Sequence, residues 1–160
     1  MAYAIATGAG AGIAPVAPGT LGAIEGVIIF VVFNALANNA ASLAPRWSFA
    51  LFVAINAALF TAGVWAASRA CEICALDDPS QVVIDEVSGQ LIALTPVVAA
   101  PSVAAIMLAF LLFRLFDIFK PYPIHNLERL HGGLGVMADD ALAGIYAATL
   151  VWMGIQSRFI

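Results

Sequence analysis

Val87-Ser88-Gly89-Gln90-Leu91-Ile92-Ala93-Leu94-Thr95-Pro96-Val97-Val98-Ala99-Ala100-Pro101-Ser102-Val103 opens a run of 27 residues, 87–113, that carries no charge. One tilted helix of that length would reach about 40 Å and cross a bilayer. Thr95-Pro96 and Pro101-Ser102 interrupt it in the middle. Proline removes a helical hydrogen bond and disfavours helical geometry at the residue before it. The run therefore reads as two short helices, about 86–95 and 102–117, joined by a turn inside or across the membrane. Irregular backbone at that depth is tolerated only under cover of other helices. The expected fold is all-α: a polytopic membrane helical bundle with a broken or re-entrant hairpin and active-site loops on the cytoplasmic face.

The composition agrees. The chain has 160 residues, 63% hydrophobic and 10% charged, against roughly 25% charged in soluble domains. Its apolar side chains exceed what one domain, 1–160, can bury in its own core, so the bilayer takes the rest. Residues 21–44 and 47–67 read as spans, the second opened by an interfacial Trp47, and 141–157 as a final helix. Segment 68–85 is polar, with a turn at Asp77-Asp78-Pro79-Ser80. Gly144 and Ala148 are spaced for close helix packing, and such faces permit a homo-oligomer. Net charge is −4, and the six basic residues form no stripe or arm, which disfavours a nucleic-acid partner. The N-terminus lacks the basic start of a secretory signal and is expected to stay. Cys71 and Cys74 read as two small residues at a helix end rather than a redox pair or half a zinc site.

The hairpin has a chemical consequence. If 87–117 enters and leaves on one side, then loop 8–20, segment 68–86 and segment 117–140 share a face. That face carries Arg69, Arg114, Lys120 and Arg129; the other carries Arg46 and Arg158. Four against two makes the shared face cytoplasmic. A single span would instead put Asp85-Glu86 and Asp117 on opposite sides, where they could not share a metal.

Four segments carry the chemistry. Adjacent Asp85 and Glu86 at a helix start repel unless a cation lies between them; a solvated first turn is the plain alternative. Asp117 and Lys120, three apart, share one side of a helix end, either as an ion pair or as a metal ligand beside a phosphate-binding cation. His131-Gly132-Gly133-x-Gly135 leads to Asp139-Asp140, which would open the last helix, a favourable place for acids. Loop 8–20, ending Pro18-Gly19-Thr20, offers free amides ahead of a helix, a weak anion-binding signal. Carboxylates without nearby thiolates suit a hard cation, Mg²⁺ above all. Together these features point to phosphoryl transfer at a bilayer surface.

These segments, in this order, resemble the phosphatidylglycerophosphatase A family. The matching residues are Gly10-x-Gly12-x-x-Pro15-x-Ala17-Pro18-Gly19-Thr20-x-Gly22, Asp85-Glu86-x-x-Gly89, Phe113-Arg114-x-x-Asp117-x-x-Lys120-Pro121-x-Pro123-Ile124, and His131-Gly132-Gly133-x-Gly135-x-Met137-x-Asp139-Asp140-x-x-Ala143-Gly144. The resemblance implies a Mg²⁺-dependent lipid phosphatase of the bacterial inner membrane, converting phosphatidylglycerophosphate to phosphatidylglycerol. Asp85, Glu86, Asp117, Asp139 and Asp140 are then expected to hold one or two Mg²⁺. Asp140, Asp117 and Lys120 are the expected catalytic groups, with Asp140 orienting the water; a phospho-aspartate route stays open. Thr20, Gly19, Gly12 and Lys120 would bind the phosphate, with Arg114 and His131 behind them. Glu25, inside the first apolar segment, has no place in this motif set. The rival reading is a small membrane cation transporter using the same carboxylates; it would carry them near the midplane.

Overall fold

The computed structural model describes residues 1–39, 45–76, 79–127, 130 and 132–159. Seven helices are described: α1 (Ala2–Ala6), α2 (Pro18–Asn39), α3 (Pro45–Cys74), α4 (Ile84–Ala93), α5 (Val103–Phe119), α6 (Ile124–Leu127) and α7 (Gly133–Gln156). Three of them contain stretches long and apolar enough to cross a membrane, Pro18–Ala37, Arg46–Cys74 and Gly133–Gln156.

The broken run 87–113 forms the centre of the bundle. Helix α4 ends before Thr95-Pro96, a 3₁₀ turn follows at Thr95–Val97, and α5 starts after Pro101. Ser102 caps α5 by accepting a hydrogen bond from the Ala105 amide, 3.1 Å. Seven of the ten residues of α4 are buried, because α7, α2, α3 and α5 pack around it. This is the cover that interrupted backbone needs. The outer faces of the long helices stay oily: Ile28, Val32 and Leu36 on α2, Leu51 and Ile55 on α3, and Leu150 and Met153 on α7 are exposed. A surface of that kind suits hydrocarbon.

Two glycines set how close α4 and α7 come. A Cβ at Gly144 would strike the Gly89 carbonyl oxygen, and a Cβ at Gly89 would lie 2.7 Å from the Asp140 carbonyl oxygen. The backbones therefore touch one turn inside Asp85 on α4 and one turn inside Asp140 on α7. The ring of Phe113 reaches Gly89 as well, so the second half of α5 packs back on the middle of α4.

Three boundaries differ from the sequence expectation: α2 starts at Pro18, inside the loop expected over 8–20, and the end of α3 and the start of α7 also move. Helix α3 runs on to Cys74 rather than stopping at 67, because Ser68-Arg69 and Glu72 extend the helix beyond the apolar stretch, with Arg69 and Glu72 paired at 2.8 Å. Cys71 and Cys74 lie half-buried in its last turn. Helix α7 starts at Gly133, not at 141, so Asp139 and Asp140 sit two turns inside it. Gly133 and Gly135, expected ahead of the last helix, lie inside it, and Gly132 is its N-cap at φ 71°. Gly133 donates its amide to Ser68 Oγ at 3.1 Å, and a Cβ there would strike the Val64 carbonyl oxygen. The proposed turn at Asp77 and Asp78, and Arg129 of the charge count, lie outside the described residues.

Candidate active site

The polar segments gather at one end of the bundle. The Val83 amide donates to the Ala6 carbonyl oxygen at 2.9 Å, tying the entry of α4 to α1. Asp85 and Glu86 occupy the first turn of α4. Asp140 faces them from α7, and one carboxylate oxygen from each of the three lies within 4.8 Å of the others. Asp140 is only 3% exposed. Asp85 Oδ1, Glu86 Oε2 and Asp140 Oδ2 are shut off from water and have no hydrogen-bond partner among the described residues.

Around this cluster stand two ion pairs. Arg114 holds Asp117 across one turn of α5, the two side chains 17% and 13% exposed. Lys120 Nζ reaches Asp139 Oδ2 at 2.6 Å, linking the end of α5 to α7. Lys120 can make that reach because it caps α5 in the left-handed conformation, φ 42° and ψ 57°, which turns it out of the helical row. Asp139 Oδ1 also accepts the Asp140 amide at 2.9 Å.

The electrostatics are unfavourable without a further cation. Burial pushes the Asp85 carboxyl well above its ordinary range, and repulsion from Glu86 and Asp140 adds to this. Burial raises Glu86 too; Asp117 adds repulsion, and Asp85 and Arg114 give partial relief. Five carboxylates, Asp85, Glu86, Asp117, Asp139 and Asp140, stand against two cations, Arg114 and Lys120, among the described residues. Three carboxylates that each bring an oxygen within 4.8 Å of the others, and that each hold a buried oxygen without a donor among the described residues, suit a divalent cation such as Mg²⁺. The residues fit that ion.

The structure thus brings Asp85, Glu86 and Asp140 into one cluster, with Asp117, Asp139, Lys120 and Arg114 beside it. Gly19 lies at its rim: a Cβ there would strike Glu86 Oε1 and come within 3.3 Å of Arg114. Thr20 follows in the first turn of α2, half-buried, its amide donating to the Ala17 carbonyl oxygen at 3.0 Å. Gly12 packs against the Gln81 carbonyl oxygen and Val83, on the connection leading into α4. His131 lies outside the described residues. Glu25 Oε2 is buried beside Gly8 without a hydrogen-bond partner among the described residues. Sequence reasoning passed over Gln90, fully buried one turn beyond Glu86; the i, i+4 spacing was the available signal.

Residues 4–155 match the family model "Phosphatidylglycerophosphatase A". A Bacteroides thetaiotaomicron protein provisionally named as a phosphatidylinositol-3-phosphatase is 43% identical over 152 residues, covering 92% of this chain and 89% of the relative. The protein named phosphatidylglycerophosphatase A from Haemophilus influenzae is 35% identical, covering 94% of this chain and 86% of its own. Its namesake from Escherichia coli is 30% identical, covering 94% and 81%. No solved structure matches. With a match over nearly its whole length, this chain belongs to the phosphatidylglycerophosphatase A family and is a phosphatase.

Proposed function

We propose that the protein hydrolyses the terminal phosphomonoester of phosphatidylglycerophosphate, giving phosphatidylglycerol and inorganic phosphate, in a Mg²⁺-dependent reaction. The observation that carries this reading is the convergence of Asp85, Glu86 and Asp140, each with a buried carboxylate oxygen that has no hydrogen-bond partner among the described residues. The names of the Haemophilus and Escherichia relatives supply the substrate. The reaction is placed at the cytoplasmic face of the bacterial inner membrane. The distribution of Arg69, Arg114, Lys120 and Arg129 against Arg46 and Arg158 supports that side. A cation transporter has lost its footing, since the chain belongs to a phosphatase family.

Asp85, Glu86 and Asp140 would hold Mg²⁺, with Asp117 and Asp139 beside them. When bound, the ion supplies Lewis-acid charge to the phosphoryl group and the attacking water. Lys120 and Arg114 offset the negative charge that spreads over the phosphoryl oxygens. The start of α2 borders the same site at Gly19, and a helix N-terminus there favours an anion. Asp140 orients the water and takes its proton as the oxygen attacks phosphorus. The ester P–O bond breaks, and that proton goes to the departing alkoxide. The acyl chains lie against the exposed apolar faces of the helices.

A second substrate has a specific observation behind it: the 43% identical relative is named for phosphatidylinositol 3-phosphate. Both lipids present a phosphomonoester on a glycerolipid headgroup, so the same metal and cations serve either. Purified protein should be offered each lipid at equal surface fraction, with Mg²⁺. Faster phosphate release from phosphatidylglycerophosphate supports the first reading; a preference for the inositol lipid replaces it.

A further inference from the structure

Gln90 is fully buried, and neither its Nε2 nor its Oε1 has a hydrogen-bond partner among the described residues. An amide in that state is costly, about 1–3 kcal/mol for each buried polar group left unpaired. One turn earlier on the same helix, Glu86 Oε2 is buried and also lacks a partner. The two residues share one face of α4. Gly22 of α2 sits over Glu86, its Cβ position 3.3 Å from that of Glu86, and Gly26 sits over Gln90, 2.9 Å from its Cβ. Helical side chains lean toward the N-terminus, so Gln90 covers the turn that carries Glu86. Residues four apart have Cβ atoms about 5–6 Å from each other, within reach of two long side chains.

We propose that Gln90 is a positioning residue for Glu86: when Glu86 holds the cation, Gln90 donates an Nε2–H hydrogen bond to the other carboxylate oxygen. The inference rests on the reading of Asp85, Glu86 and Asp140 as a cation site. A carboxylate that binds a metal through one oxygen has the second left over. Groups that hold this second oxygen fix the ligand's orientation, and losing them typically weakens metal binding about 10–100-fold. Here the candidates are few. Gly19 and Gly22, the α2 glycines beside Glu86, bring no side chain, and the Arg114 guanidinium, paired with Asp117, lies by Gly19 on the Oε1 side of Glu86. Gln90 brings an amide donor with no partner among the described residues, and a side-chain rotation would bring its Nε2 to Glu86 Oε2, leaving Oε1 for the cation.

The test is metal binding by the full chain in detergent, read as the rise in melting temperature with Mg²⁺ and as Mn²⁺ binding by electron paramagnetic resonance. Gln90→Met keeps the shape and removes the amide. The expected result is metal affinity weaker by about tenfold, with the metal-free melting temperature unchanged or higher, since an unpaired buried amide is gone. Loss of affinity should vanish in the Glu86→Gln background, where Gln90→Met adds nothing. Equal affinity for Gln90→Met and the unmodified protein overturns the positioning role and leaves the cation site standing. No divalent binding by the unmodified protein overturns both. A second reading needs no substitution at Gln90. The chain has three glutamines, Gln81, Gln90 and Gln156. In ¹⁵N-glutamine protein carrying Gln81→Asn and Gln156→Asn, the remaining side-chain amide pair should shift on Mg²⁺ addition. An unmoved pair rejects the hydrogen bond.

Discussion

Gly89→Ala tests whether the contact between α4 and α7 sets the geometry of the carboxylates. The new Cβ would lie 2.7 Å from the Asp140 carbonyl oxygen, where ordinary contact begins at 3.4 Å. It would also meet the Phe113 ring at 2.5 Å. Relief of the first clash moves the Asp140 main chain, and with it a proposed metal ligand, by about 0.7 Å, within the range where overpacking costs about 1–3 kcal/mol. A shift near 1 Å at reacting groups costs about 10²-fold in rate, so kcat should fall about 10–100-fold. Gly63→Ala is the control. Its Cβ meets only the end of the Met137 side chain at 2.7 Å, which can rotate away, and Ile84 at an ordinary 3.4 Å. Phosphate release from phosphatidylglycerophosphate in mixed micelles, with melting curves for each variant, gives the readout. A Gly89→Ala protein with full activity and unaltered metal response would refute the claim that this contact holds the site together.

Three further outcomes follow from the site. Glu86→Gln should abolish stimulation by Mg²⁺ while raising the metal-free melting temperature, because a buried carboxylate facing Asp85 and Asp117 is neutralised; a lower melting temperature would mean Glu86 is held by contacts not described above. The pH response should depend on the metal. Asp85 and Glu86 are raised above 3.8 and 4.5, so the folded metal-free state binds more protons than the unfolded one, and stability falls as pH rises from about those values. With saturating Mg²⁺ the ionised forms are favoured and the loss should disappear, as melting curves from acid to neutral pH in EDTA and in Mg²⁺ will show. Lys120→Met should leave Asp139 without its 2.6 Å partner and cut kcat about 10²-fold or more. If it raises KM alone, Lys120 binds the lipid phosphate equally in ground and transition states.

Much of this was legible in the sequence, and the parts that were not have physical causes. Pro96 and Pro101 announce the break between α4 and α5, because proline's effect on the backbone is local. Asp85-Glu86, Asp117 and Asp139-Asp140 stand out because charge is rare and costly in so apolar a chain. The start of α7 was misplaced because Gly132-Gly133-x-Gly135 carries the composition of a turn; the reason for glycine at 133 is the backbone of α3, a tertiary contact with no local mark. The end of α3 was misplaced because polarity was read as loop, whereas helices continue past a bilayer. The ion pairing of Lys120 with Asp139, 19 positions apart, depends on a left-handed cap that no spacing rule foresees. Gln90 drew no attention because one polar residue in an apolar run is unremarkable until its burial is known.

The central claim is that Asp85, Glu86 and Asp140 hold a divalent cation that drives phosphomonoester hydrolysis. The most direct test follows phosphate release from phosphatidylglycerophosphate by purified protein, with Mg²⁺ and with EDTA, beside Asp140→Asn. The account predicts release that requires Mg²⁺, stops in EDTA and collapses in the variant. Release that continues unchanged in EDTA, or an Asp140→Asn protein with full Mg²⁺-dependent activity, would contradict it.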